Sequence, residues 1–276
     1  MSRAIMSNSF RLVTELTGVV RRAIITLTVL ALALLLPAAE EAQAVGGISN
    51  SKIVVPSTET VPKGHAEIEP FFLLGLLKNR DRARRFGAGV RLTYGALQNL
   101  EVGAGVVYLD IRDLDLNLKN ADFGAIAPGI KYRFLDEGRN APFSLAYQGG
   151  VFIPLDGQDT PWIIEPGGLI LTKNFTDVFS MDADFVFGIV ENDAWTFVSE
   201  IGFGYYVRPW FQPVIEAAYI FEGVEGEDDL TIVNLTAGFT SPVTDWLTVI
   251  VGVTPDIYTN NINEQVIMSA AFTFLF

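Results

Sequence analysis

Every second residue near the end of the chain is apolar: Val266, Met268, Ala270, Phe272, Phe274 and finally Phe276. Successive side chains of a strand point to opposite faces, so these six share one face. As a soluble edge strand, the segment would put that face and a line of unpaired N–H and C=O groups into water, which invites aggregation. The conflict disappears if the strand closes a barrel and its apolar face meets lipid, because a closed sheet has no edge. The expected fold class is therefore all-β: a transmembrane antiparallel up-and-down β-barrel.

The rest of the chain repeats the pattern. Half of the residues are hydrophobic, yet beyond residue 44 no run approaches the roughly 20 apolar residues of a spanning helix. Twelve alternating segments are separated by turn residues: about 64–75, 85–96, 100–111, 122–134, 142–154, 167–175, 178–190, 195–207, 211–222, 230–240, 245–254 and 265–276. Segments of about 10–13 residues, rising about 3.3 Å per residue at a tilt near 40°, cross an apolar band of about 25 Å. Pro70 and Pro128 fall inside segments and are expected to mark bulges or bends, since proline cannot donate to the ladder.

Residues 1–44 read as a cleavable signal peptide. Arg21 and Arg22 precede an apolar stretch from Ala23 to Leu36, Pro37 breaks it, and Ala42-Gln43-Ala44 is a small-x-small cleavage site before Val45. Residues 45–61 are small and polar without a period, and are expected to be a periplasmic lead-in to a barrel over 62–276. An even strand number puts both barrel ends in the periplasm and most of the longer connections outside. The chain contains no Cys, in keeping with an exported protein that uses no disulfides.

Parity assigns the faces. Val90, Leu92, Tyr94, Ile130, Tyr132, Phe134, Phe185, Phe187, Ile201, Ile215, Tyr219 and Val249 point outward. Aromatic residues gather at segment ends, with Tyr94, Phe134, Phe143, Tyr205, Trp210, Trp246 and Phe276 at the periplasmic rim and Tyr108, Trp195, Phe221 and Tyr258 at the outer one. The inward face receives many glycines, among them Gly89, Gly95, Gly202, Gly204, Gly238 and Gly252. Two readings of them stay open: they clear an open lumen, or they let the wall curve around a plugged one. The same parity puts Glu67, Glu69, Arg91, Glu101, Lys131, Arg133, Asp182, Asp184, Glu200 and Glu216 inside as lumen-lining residues. A basic residue facing lipid there would cost about 2–4 kcal/mol near the midplane. Two readings fit these charges: a salt-bridge network bracing the wall, or an electrostatic lining that favours cations or neutral polar solutes over anions.

Composition and motifs exclude other chemistry. A net charge of −13 argues against nucleic acid as a partner. The one histidine, His65, stands at the start of the first segment and reads as a solvated end residue, far from the outer rim where a barrel hydrolase would need it. Gly87-Ala88-Gly89 and Gly202-Phe203-Gly204 lie within strands with no following helix and are no nucleotide loops. The acidic loops from Asp110 to Asn117 and from Glu222 to Asp229 match no calcium-loop spacing and read as solvated. No cofactor and no metal is expected. Loop 76–84 is basic and suits lipopolysaccharide phosphates.

The closing strand with its terminal Phe276 resembles that of bacterial outer-membrane β-barrels, a likeness that implies recognition of Phe276 by the assembly machinery. Other phrases, Val61 to Glu69, Leu92 to Gly103, Gly129 to Phe134 and Gly150 to Pro154, resemble a family of outer-membrane transporters known as the putative MetA-pathway of phenol degradation family. The resemblance implies a barrel of about twelve strands that passes small compounds, aromatic or apolar ones included, and carries no defined substrate residues. The function expected is therefore an outer-membrane channel or facilitated transporter, not an enzyme, located in the bacterial outer membrane with the lipid bilayer, lipopolysaccharide and small solutes as partners. A structural or adhesion barrel with a plugged lumen and a barrel hydrolase are the alternatives.

Overall fold

The computed structural model describes residues 48–49, 52–78, 83–113, 118–139, 141–155, 162–191, 194–224 and 228–276. The expected signal peptide and residues 79–82 of the basic loop 76–84 lie outside the described residues.

Twelve strands form one antiparallel sheet: β1 (Ala66–Leu77), β2 (Ala83–Leu97), β3 (Leu100–Asp113), β4 (Leu118–Leu135), β5 (Ser144–Pro154), β6 (Ile163–Thr176), β7 (Phe179–Val190), β8 (Ala194–Tyr205), β9 (Gln212–Val224), β10 (Leu230–Thr244), β11 (Leu247–Asn260) and β12 (Gln265–Leu275). Each pairs with its sequence neighbours, and β1 pairs with β12, so the sheet closes on itself. The terminal residue fastens this seam. Phe276 and Ala66 exchange backbone hydrogen bonds of 2.8 and 3.1 Å. The ring of His65, expected to be solvated, lies 2.9 Å from the Phe276 carbonyl oxygen through Nδ1.

Several strands run beyond the expected limits, most of all β11, which reaches Asn260 where a loop from 255 was expected. The β2–β3 hairpin turns through Asn99 at φ 66°, a left-handed conformation that asparagine tolerates.

The two prolines do not make bulges. Pro70 keeps register with Val90 on β2, and the β1–β12 register is the same on either side of it, with Ile68 opposite Phe274 and Phe71 opposite Ala271. Pro128 likewise lies between Ile126, opposite Ile153, and Gly129, opposite Gly150, with no slip. At each site the ladder lacks rungs instead of gaining a residue, because the missing N–H removes a bond without lengthening the strand. The irregularities of β4 lie elsewhere: one at Gly124, opposite Val107 and Tyr108 of β3, and one between Arg133 and Leu135 against β5.

Alternation sorts the side chains between two media. Phe185 and Phe187 are 49% and 41% exposed while Asp184 between its outward neighbours is fully buried. Leu92, Tyr132, Phe134, Ile215 and Tyr219 are likewise exposed on the outer wall. Aromatic pairs staple adjacent strands there, including Trp195 with Phe221 at 4.9 Å between ring centres and Trp246 with Phe274 at 6.2 Å. An apolar outer wall on a closed cylinder is the form that hydrocarbon requires of a spanning β-structure.

Candidate functional site

Barrels of about eight strands fill their interiors with side chains, while those of about sixteen leave an aqueous channel. Twelve strands enclose a bore between these cases. Here much of it is taken up by the chain's own segment before β1. Of residues 45–61, expected as a periplasmic lead-in, most of those described are instead packed inside, with Glu59 exposed. Ile48, Ser49, Lys52, Ile53, Val55, Ser57, Thr58 and Val61 are all buried. The reason lies in the wall, which offers this segment specific polar partners that the segment's own sequence does not announce.

Four stations hold it. Glu101 accepts hydrogen bonds from Ser49 N at 2.8 Å, from Ser49 Oγ at 2.9 Å and from Val61 N at 2.7 Å. Lys131, 3.1 Å from Glu101, donates to Ser49 Oγ at 2.8 Å and to the carbonyls of Ser49 and Ser57. Asp182 pairs with Lys52 and accepts from Thr172 Oγ1 at 2.6 Å, while Thr172 Oγ1 accepts from Thr58 N at 2.9 Å. Glu216 gathers three consecutive amides, those of Ile53 at 3.0 Å, Val54 at 3.1 Å and Val55 at 3.3 Å. A carboxylate facing successive N–H groups is an anion in a backbone nest. Charge-assisted bonds of this kind are each worth about 1.5–3 kcal/mol net.

Glycine makes the room. A methyl group at Gly202 would approach Lys52 and Val55, one at Gly204 would meet Lys52, and one at Gly252 would lie 2.5 Å from Ile53. At Gly95 it would collide with the Pro62 and Val61 carbonyls at 2.2 and 2.4 Å. The inward glycines of these strands therefore accommodate a peptide. Beyond the polar stations the bore turns apolar, where Ile48 packs with Ala146, Ile170, Val186, Val198, Ile220 and Ile232. A void beside Val54, Val55, Glu200 and Glu216 measures about 10 Å³, room for about one water.

The structure brings the ten inward charges into distinct groups. Glu69 pairs with Arg91 and accepts from Thr273 Oγ1 at 2.6 Å; Glu67 lies opposite Thr93 on the same inner row. Arg133 donates to Asn99 Oδ1 at 3.0 Å and lies 3.8 Å from Asp136. Glu101, Lys131, Asp182 and Glu216 hold the inserted segment. Asp184 and Glu200 face each other across β7 and β8, joined by Gln148, whose Nε2 donates to Asp184 at 3.1 Å. Lys52, Ser49, Gln148, Thr172 and Glu165 were not among the sequence-derived site residues. Strand parity could have found Gln148 and Thr172; Glu165 was hidden by placing residues 155–166 in a loop, and nothing periodic marks Ser49 or Lys52. Among the described residues, no cluster of metal-ligating side chains can hold an ion, and no helix is long and apolar enough to span a membrane.

No known protein family matches the chain by its sequence profile, and no curated protein matches it. The resemblance to the phenol-degradation family therefore gains no support from a family match. Solved structures do match in fold. The COG4313 outer membrane channel from Pseudomonas putida F1 superposes with a TM-score of 0.64 at 11% identity, over 79% of this chain and 98% of that one. The NanC porin gives 0.51 at 7%, over 75% and 98%. The chain has the closed twelve-strand β-barrel fold of these proteins. The β domain of the Bordetella autotransporter BrkA reaches 0.51 at 12%, over 78% and 100%, so this architecture serves more than one task and the likeness establishes the fold alone.

Proposed function

We propose that this barrel is an outer-membrane channel for small solutes, closed at rest by the segment of residues 48–61. One observation carries the reading: the bore is stoppered by a stretch of chain that belongs to no strand and is held by side chains, not by the sheet. A plug bonded through Glu101, Lys131, Asp182 and Glu216 can leave without breaking a rung of the barrel. A wall built only to be solid would have little use for glycines that clear space along its inner face. The apolar inner rows around Ile170, Val186, Val198 and Ile220 suit solutes with apolar or aromatic parts. In this reading the inward charged residues line the path once the segment withdraws, Phe276 presents the finished seam to the assembly machinery, and the basic outer loop faces lipopolysaccharide.

The test is conductance in planar bilayers of the refolded chain beginning at Val45, compared with a chain beginning at Val61. Both must show the heat-modifiable gel migration of a folded barrel. The shorter chain is expected to conduct at least severalfold more. Equal, negligible conductance from both would favour the other reading of the plugged bore, a barrel whose work is structural.

A further inference from the structure

We propose that Arg84, Arg112 and Lys119 form a docking row for a phosphate group of lipopolysaccharide on the outer wall of the barrel. The proposal gives residues to the lipopolysaccharide contact proposed above and rests on that reading for which end of the cylinder faces outward.

Register sets the row. Arg84 of β2 lies opposite Arg112 of β3, and Arg112 lies opposite Lys119 of β4. The β2–β3 pairing runs without a slip from Tyr94 and Val102 to Arg84 and Arg112, so positions an even number of residues apart share a face. Val90, Leu92 and Tyr94 are exposed on the outer wall, and so is Arg84. The row therefore belongs to the outside of the cylinder and not to the bore. Lys119 joins it through the irregularity at Gly124. On one side of Gly124 even-numbered positions meet the outward residues of β3, with Ile130 opposite Val102 and Ile126 opposite Val106. On the other side odd-numbered positions do, with Phe123 opposite Tyr108 and Lys119 opposite Arg112. An unbroken register would put Asn120 opposite Arg112. An extra residue in one strand re-aims the positions beyond it, and here it exchanges an amide for a third cation.

The height of the row matches the lipid headgroups. Tyr94 and Arg84 stand ten residues apart on β2, about 25 Å of height at about 3.3 Å per residue and a tilt near 40°. That is the thickness of the apolar band, so with Tyr94 at one boundary the row stands at the other. It is the end away from Phe276, whose partner Ala66 pairs with Tyr94.

Like charges directly opposite each other destabilise a sheet, and three in line repeat that cost. The next outward row supplies one acid, Asp110, opposite Phe86 and Ala121. One carboxylate offsets at most one of the three charges. On a chain of net charge −13, this local surplus calls for an anion from outside the chain. Arginine forks match phosphate oxygens through paired bonds, and lysine adds a point charge. Strands about 4.8 Å apart spread the three positions over about 10 Å. The wall below the row is apolar, with Phe86 and then Ala88 opposite Tyr108. Acyl chains can lie there beneath a phosphate, which suits a lipid headgroup and not a free anion.

The test is native mass spectrometry of the refolded chain beginning at Val45, with diphosphoryl lipid A, dephosphorylated lipid A and phosphatidylglycerol. A charge-assisted bond is worth about tenfold in affinity, so lipid A is expected to bind at least about tenfold more tightly than either other lipid. Arg84→Gln, Arg112→Gln and Lys119→Gln together should remove at least about tenfold of that affinity. Lys63→Gln, Arg139→Gln and Arg208→Gln together remove the same charge from exposed residues at the opposite end, and should leave binding within about twofold because salt screens distant charges. Gel migration of the folded barrel verifies each variant. The inference is overturned if either other lipid binds as tightly as lipid A, if the row variant loses nothing, or if the control variant loses as much. Binding is read without conduction, so a chain that binds lipid A but never conducts would refute the channel reading and leave the row standing.

Discussion

Replacing Glu216 by glutamine should loosen the plug more than any other single-atom-scale change in the wall. The carboxylate accepts from Ile53 N, Val54 N and Val55 N at 3.0 to 3.3 Å, with Val54 reaching both oxygens. Glutamine keeps one oxygen and turns an NH₂ toward an amide that also donates. Bonds to a charged acceptor are worth about 1.5–3 kcal/mol and neutral ones about 0.5–1.5. Weakening two and losing the third therefore costs the plugged state about 3.5–6 kcal/mol. At about 1.4 kcal/mol per tenfold, the ratio of plugged to open barrel falls about 300- to 20,000-fold. Single-channel recording reads the fraction of time open, and Glu216→Asp, which keeps the charge on a shorter stem, should fall between wild type and Glu216→Gln. A Glu216→Gln protein that folds normally and opens no more often than wild type would refute the argument that this carboxylate holds the segment.

Three further outcomes follow from the same contacts. Lys52→Met leaves Asp182 buried without its ammonium partner, a loss of about 3–5 kcal/mol; the double variant Lys52→Met with Asp182→Asn should recover most of the closed state, read by the same recordings as a double-mutant cycle. Gly252→Val places carbon where Ile53 now lies 2.5 Å from the ideal Cβ position, and should speed proteolysis of residues 48–61 from the periplasmic side while the barrel itself stays resistant. In the turn between β4 and β5, partial burial pushes the Glu137 carboxyl up, but hydrogen bonds from Lys173 and from Asn174 outweigh it and hold the pKa below its ordinary 4.5. A carboxylate so lowered stabilises the fold above its unfolded value and loses that contribution as pH falls through the folded one; amide exchange at residues 136–143 should therefore accelerate below about pH 4.5, and should show no such step in Glu137→Gln.

The wall of this protein could be read from its sequence because a two-residue period is a local property. Phe185 and Asp184 differ by one position, and that parity alone sends one ring to lipid and one carboxylate inward. The contents of the wall could not be read in this way. Residues 48–61 have no period, and their course is set by Glu101, Thr172, Asp182 and Glu216, which lie 40 to 163 positions away. Parity placed these acids inside without saying what they would hold. The glycines pose the same difficulty: Gly202 and Gly204 were assignable to the inner face, but whether they clear a passage, allow curvature or seat a peptide depends on a segment that gives no local signal. His65 is the exposed end residue its position suggested, but its partner, the carbonyl of the last residue 211 positions on, gives no local signal.

The inserted segment runs directly into β1 through Pro62, Lys63 and Gly64, so it stays leashed to the cylinder it fills. Re-entry is then a first-order event at an effective local concentration in the millimolar range or above, whatever the density of protein in the membrane. Excursions would end by recapture within the same molecule, and a bacterium could carry many copies of such a barrel without its envelope becoming leaky.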